Sequence, residues 1–178
     1  KELGRRKENS MNVAEANIRA ETAGSSSGEL LQLVSFHVGD EEFCLDILRV
    51  QEIIRIQPLT RVPNLPDYID GVFNLRGKVI PVIGLRRRLG LEKQSAGKQT
   101  RIVVVDVHNQ TLGFIVDSVS EVLRIHSDTV EPTPRLGKTE RDYISGVGKL
   151  DSRLLLMIDL EQLMSGTEFD AGAQKTVM

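Results

Sequence analysis

The sequence predicts an all-β protein made of two small, similar barrels. Three observations carry that prediction: one apolar pattern occurs twice, each occurrence divides into five short β-favouring segments, and no segment has the length of a long helix. Val34 through Pro63 falls on Val103 through Pro132 at a constant shift of 69 (119 − 50 for the paired valines). Phe36/Val105, Phe43/Leu112, Leu45/Phe114 and Ile54/Leu123 coincide, and Glu52/Glu121 and Arg55/Arg124 are identical. Asp67-Tyr68-Ile69-Asp70-Gly71-Val72 returns as Asp142-Tyr143-Ile144-Ser145-Gly146-Val147 at a shift of 75, and these blocks hold the chain's two tyrosines. The additional 6 residues (75 − 69) are expected in the polar stretch Arg135–Arg141. So long a period exceeds the roughly 20 to 50 residues of solenoid repeats, so it marks a duplicated small domain. At about 60 residues per copy an isolated domain is marginal, and the halves are expected to share a core.

In chain order, Leu31–Val38 is β-favouring, Gly39-Asp40 is turn chemistry, and Glu42–Leu45 is the returning strand of a hairpin. The third segment, Val50–Ile56, runs into a loop bearing Pro58, Pro63 and Pro66. Ile69–Leu75 and Lys78–Ile83 follow as two strands joined at Arg76-Gly77, and Leu85–Leu89 has the length of one helical turn. The second copy repeats the series: Arg101–Val107, a turn at His108-Asn109-Gln110, Leu112–Val116, Val119–Ile125, a loop with Pro132 and Pro134, then Ile144–Leu150, Arg153–Ile158 and the short helix Leu160–Met164. Five short strands per copy predict a closed or nearly closed barrel, which removes exposed edges. The expected organisation is a flexible segment 1–28, an ordered domain 29–164 with barrel one at 31–90 and barrel two at 100–164, and a loose tail 165–178. Met11 reads as a start, with Lys1–Ser10 a leader ahead of it, and Thr22–Gly28 has linker composition.

Composition narrows the function. With 178 residues, 40% hydrophobic and 27% charged, the chain has an ordinary globular balance. Its longest apolar runs, such as Leu154–Ile158, fall far short of the roughly 20 residues of a membrane helix, and no signal-peptide pattern is present. The single cysteine, Cys44, excludes an intrachain disulfide and suits a reducing cytoplasm. A formal charge of −2 gives no global reason to bind nucleic acid or acidic lipid.

Asp40-Glu41-Glu42-Phe43, Val50-Gln51-Glu52-Ile53 and Gly71-Val72-Phe73-Asn74-Leu75-Arg76-Gly77-Lys78-Val79-Ile80-Pro81-Val82 resemble the CheW family of bacterial chemotaxis coupling proteins over about Leu31–Met164. The Asn-Leu-Arg-Gly turn followed by Ile-Pro-Val is the specific part. The resemblance implies two SH3-like five-stranded β-barrels, with short helical turns, packed about an approximate two-fold. Two positions depart from the family pattern. Gly84 stands where an N-cap-like Asp is usual and Asp159 keeps it in the second copy, while Cys44 stands where glycine is usual and Gly113 keeps that. Glycine costs only a few tenths of a kcal/mol against Asp as a cap, and Cys44 reads as a small buried side chain.

No catalytic, metal or cofactor set can be assembled. His37, His108 and His126 stand singly, and no G-x-S-x-G, P-loop or G-x-G-x-x-G occurs. The basic run Arg86-Arg87-Arg88 reads as a solvated helix face or a contact with an acidic partner; few aromatics lie on the strands to act as base-stacking platforms. Ile47, Leu48, Val50, Ile53 and Ile54 are more apolar than one strand face requires, which fits either an inter-barrel core or a partner surface. The repeat also fails at one informative place: Asn74-Leu75-Arg76-Gly77 matches Lys149-Leu150-Asp151-Ser152, so Arg76 can pair with Glu52 while Glu121 would face Asp151. A two-pronged arginine–carboxylate contact held by one barrel alone points to a task of that barrel.

The resemblance implies a cytoplasmic, non-enzymatic coupler, recruited to receptor arrays at the inner membrane, that links methyl-accepting chemoreceptors to the histidine kinase CheA. It assigns receptor contact to Ile47, Val50, Glu52, Ile54, Gly71 and Arg76. Contact with the CheA regulatory domain falls to Thr60, Asn74, Arg76, Gly77 and Leu136, the last in the loop with Pro132 and Pro134. Two alternatives remain at this stage: a CheW-like coupling domain of a CheV-type or kinase protein, which a chain ending soon after the second copy disfavours, and a small-barrel nucleic-acid-binding module, which the net charge disfavours.

Overall fold

The computed structural model describes residues 28–133 and 143–165. Eleven strands appear in them: β1 (Leu30–Val38), β2 (Glu41–Asp46), β3 (Val50–Arg55), β4 (Ile69–Leu75), β5 (Lys78–Gly84), β6 (Arg101–Val107), β7 (Gln110–Val116), β8 (Ser118–His126), β9 (Val130–Glu131), β10 (Ile144–Leu150) and β11 (Arg153–Ile158). Two short helices, α1 (Leu85–Arg88) and α2 (Leu160–Met164), follow β5 and β11. The fold is all-β, as expected. Glycine and left-handed backbone occur where the chain reverses: Gly39 (φ 63) between β1 and β2, and Arg76 (φ 52) with Gly77 (φ 83) between β4 and β5.

The strands form two sheets, ordered β3-β6-β7-β5-β4 and β8-β1-β2-β11-β10-β9. Each closes on itself. Thr60, just beyond β3, bridges Val72 of β4, and β9, just beyond β8, pairs with β10. The two orders are the same once repeat partners are matched, and even the parallel pair recurs: Val82↔Gly113 in one sheet is Met157↔Cys44 in the other.

The barrels do not, however, coincide with the sequence copies. The expected boundaries put barrel one at 31–90 and barrel two at 100–164; instead one barrel is the continuous stretch β3–β7, hereafter barrel one, and β1 and β2 join β8–β11 to complete barrel two. Each copy's hairpin has docked on the other copy's last three strands. The cause is the short link after each hairpin. After β2 only the single 3-10 turn Ile47–Arg49 intervenes, held by Asp46 Oδ1 accepting from Leu48 N at 2.9 Å, and after β7 only Asp117. The chain leaves one barrel there and enters the next.

This exchange explains why the hairpin strands are apolar on both faces. In β6, Ile102 and Val104 point into barrel one beside Phe73, Ile80 and Val82, while Val103, Val105 and Val107 enter a layer between the barrels. In the other hairpin, Leu33 and Cys44 fill barrel two with Leu123, Ile125 and Leu155, while Phe36, Phe43 and Leu45 meet the same middle layer. Tyr68 and Tyr143 pack against that layer from equivalent places. A strand buried on both faces reads as a continuous apolar run, and Ile102–Val105 is one.

The offset between copies also changes earlier than expected. Thr60 opposite Val72 matches Glu131 opposite Val147, an offset of 71 (131 − 60), so two of the additional residues are already present before Glu131, where the second copy forms the 3-10 turn Ser127–Thr129. Residues 134–142 lie outside the described residues.

Candidate functional site

The β4–β5 turn projects from one end of barrel one. Asn74 Oδ1 accepts from Gly77 N at 2.7 Å, closing the turn, and the left-handed backbone at Arg76 turns its side chain toward β3. There Arg76 Nη1 donates to Glu52 Oε2 and Nη2 to Glu52 Oε1, each at 2.7 Å. This is the two-pronged pair that the sequence pointed to. Arg76 remains 74% exposed and Glu52 28%. In water such a pair contributes about 0–1 kcal/mol, but its fork geometry fixes where the guanidinium points.

Barrel two departs from expectation. Glu121 does not face Asp151 unaided: Arg153, the first residue of β11, donates from Nη2 to Glu121 Oε1 at 2.8 Å, and its Nη1 lies 3.7 Å from Glu42 Oε1. Glu42 is 7% exposed and that oxygen has no hydrogen-bond partner, so Arg153 is tied to a buried charge. Matching positions in barrel one are neutral or mild: Thr111 replaces Glu42, and it accepts from Lys78 Nζ at 2.7 Å and donates to Asp106 Oδ1 at 3.1 Å. Each barrel therefore braces its third strand with an arginine. Only in barrel one is that arginine free of a buried partner and displayed on a turn.

The remaining proposed contact residues fall in different environments. Thr60 exchanges two backbone hydrogen bonds with Val72, at 2.8 and 2.9 Å. Gly71 is required by that bridge, since a Cβ on it would stand 2.8 Å from the Thr60 carbonyl oxygen. Ile47 is half-buried in its 3-10 turn and Val50 packs against the middle layer. Ile54 packs against the barrel-one interior, so its position next to a partner is indirect. Leu48, 89% exposed, Ile53, outward on β3 beside Glu52, and Val79, 64% exposed and opposite Asn74 on β5, are exposed apolar side chains on these elements. The signal for Ile53 was strand alternation: with Glu52 and Ile54 inward, Ile53 must point outward. Leu136 lies outside the described residues.

The triple arginine is not a solvated face. Arg86 makes a two-pronged contact with Asp117, at 2.8 and 2.7 Å, Arg87 donates to the Asp67 carbonyl, and Arg88 donates to the Leu163 carbonyl from Nε at 2.8 Å while lying 6.0 Å from the Tyr68 ring centroid. Arg88 thereby caps the end of α2. Asp117 also accepts from Gly39 N at 2.8 Å, and the Arg86 hydrogen bond foremost holds its carboxyl below the ordinary range despite partial burial. Cys44 is fully buried, and burial with nearby Glu42 pushes its thiol up to about 12, which makes it a packed side chain. No cluster of metal-ligating side chains occurs among the described residues.

Residues 32–168 match the family model described as a CheW-like domain. The chain belongs to the CheW-like family. It is 38% identical over 141 residues to a probable chemotaxis protein CheW of Rhizobium etli, covering 79% of this chain and 91% of that one. With chemotaxis protein CheW of Klebsiella aerogenes the identity is 37%, over 82% of this chain and 87% of that one. Among solved structures, scaffolding protein TtCheW from Thermoanaerobacter tengcongensis superposes with a TM-score of 0.72 at 35% identity, covering 77% of this chain and 94% of that one. These relatives support the SH3-like barrel architecture and a chemotaxis scaffold rather than a catalyst. Among the described residues no helix is long and apolar enough to cross a membrane.

Proposed function

We propose that this CheW-like chain couples methyl-accepting chemoreceptors to the histidine kinase CheA, without catalysing a reaction itself. The observation that carries the reading is the Arg76–Glu52 pair: an arginine oriented by two hydrogen bonds yet 74% exposed, on the turn whose sequence marks the family. An oriented guanidinium meets a partner carboxylate or carbonyl with little further loss of freedom.

The receptor tip is assigned to the surface around Ile47, Val50, Glu52, Gly71 and Arg76, with Ile54 supporting it from inside the barrel. The CheA regulatory domain is assigned to Thr60, Asn74, Arg76 and Gly77, and to Leu136, which lies outside the described residues. Exposed Ile53, next to Glu52 on β3, and Val79, opposite Asn74 on β5, add apolar area around the arginine, which is itself a residue type enriched among interface anchors. The working place of such a coupler is the cytoplasmic side of the inner membrane, in receptor arrays. Co-purification tests the reading: the chain should retain both a receptor signalling fragment and CheA, separately and in one complex. Retention of neither would refute it.

A further inference from the structure

The repeat exposes a second difference between the barrels. Advancing 75 positions turns Arg86-Arg87-Arg88 into Glu161-Gln162-Leu163 and Gly84 into Asp159, so the corner after the last strand is basic in barrel one and acidic in barrel two. In barrel one this corner opens into a cleft of about 810 Å³ beneath the connecting segment Lys93–Thr100. The cleft includes Asp70 near the start of β4 and Gly84 at the end of β5. It therefore lies at the opposite end of the barrel from the Arg76 turn, which joins the other ends of those strands.

Its apolar lining comes from Ile56, Leu59, Leu85 and Ile115. Two carboxylates line it and both face cations: Asp117 takes the two-pronged Arg86 contact, and Asp70 lies 3.7 Å from Lys93 Nζ. Arg61 and Lys98 also line it, and their side chains have no hydrogen bond or ion pair among the described residues. The acid that barrel two carries at Asp159 would crowd Asp70 here: a Cβ on Gly84 would stand 2.6 Å from Asp70 Oδ2, so the Asp70 carboxylate would have to move. The result is an apolar floor with surplus positive charge on its rim. The cations come from three separate segments, the loop after β3, helix α1 and the connecting segment.

We propose that this cleft docks an acidic segment of a partner protein, extended across it with apolar side chains on the floor and carboxylates at Arg61, Arg87 and Lys98. Charges spaced along a rim select a chain with several separated carboxylates, and the apolar floor selects against a purely polar one. The cleft lies at the far end of barrel one from the Arg76 turn, and Thr60 and Gly71 adjoin its rim through Arg61 and Asp70.

Fluorescence anisotropy with a labelled peptide of alternating glutamate and leucine tests this on the whole chain. The peptide should bind, more weakly as salt rises, and a lysine–leucine counterpart should not. Arg61→Glu with Lys98→Glu should weaken binding about tenfold or more, while Arg76→Ala leaves it unchanged; thermal unfolding checks that each variant is folded. Absence of binding, equal binding of the lysine–leucine peptide, or an unchanged affinity in the double variant would overturn the proposal. A chain ending at Ser165 should bind as the whole chain does; tighter binding there would give the cleft to residues 166–178 and refute a partner segment as its occupant.

Discussion

Arg76 and Arg153 each brace a glutamate of the third strand of a barrel, but only Arg153 also stands 3.7 Å from the buried Glu42. Removing Arg153 leaves a carboxylate that is 7% exposed without its cation, and uncompensated buried charge is among the few changes that destabilise strongly. Arg153→Ala is therefore expected to lower the unfolding midpoint clearly, whereas Arg76→Ala, losing an exposed pair of about 0–1 kcal/mol, stays near wild type. Parallel thermal melts decide it, and equal losses would show that Arg76 is also structural. Asp117 makes a prediction in pH. Its folded pKa lies below the ordinary 3.8, so its contribution to stability is present above 3.8 and is lost as pH falls through the lower, folded value. Asp117→Asn should accordingly flatten the acid limb of a stability–pH curve and reduce stability at neutral pH; an unchanged acid limb would remove Asp117 from the account.

The strand elements show how a repeated backbone accommodates different side chains. Gly113 of β7 matches Cys44 of β2, and Phe73 of β4 matches Gly148 of β10. A Cβ on Gly113 would stand 2.8 Å from Ile102 Cγ2 and 3.8 Å from the Phe73 ring, so barrel one places its bulk at Phe73 and omits it at 113, while barrel two does the reverse. Glycine in a strand ordinarily costs about 0.5–1 kcal/mol against alanine. Here the sign should invert, with Gly113→Ala destabilising by about 1–3 kcal/mol through overpacking; chemical denaturation reads it, and a stabilised variant would contradict the packing described. Such pairings were partly legible. The strands were readable because β-favouring runs end at turn residues, and Cys44 read correctly as packed. Two-residue β9 was not readable, since Val130-Glu131 carries no periodicity and is defined by its partner β10. Of the two readings of the α1 arginines, the solvated face fails for Arg86 and Arg88, because their acceptors lie far along the chain at Asp117 and the Leu163 carbonyl.

At the scale of the molecule, the duplicated pattern announced two matching barrels with a shared core but could not say which hairpin belongs to which. Periodicity records that a strand is buried on both faces; it does not record whose core lies on each side. The exchange of hairpins was therefore invisible although every strand of it was legible. One consequence is cooperativity. Phe36, Phe43, Val103 and Phe114 occupy one layer contributed by both barrels, so neither can lose it alone. Phe114→Ala should cost about 3–5 kcal/mol and weaken amide protection in β8 and β10 as well as in β4 and β6. Protection lost from barrel one only would show the barrels to be independent. At this scale, too, belongs the claim that a fold which ties the arginine of barrel two to a buried carboxylate leaves that of barrel one available for signalling. The most direct test is kinase activity in a reconstituted assembly of receptor signalling fragments, CheA and this chain carrying Arg76→Ala. With wild-type melting behaviour, the variant should lose receptor control of the kinase while Asp151→Ala keeps it; normal receptor control by the Arg76 variant would contradict the account.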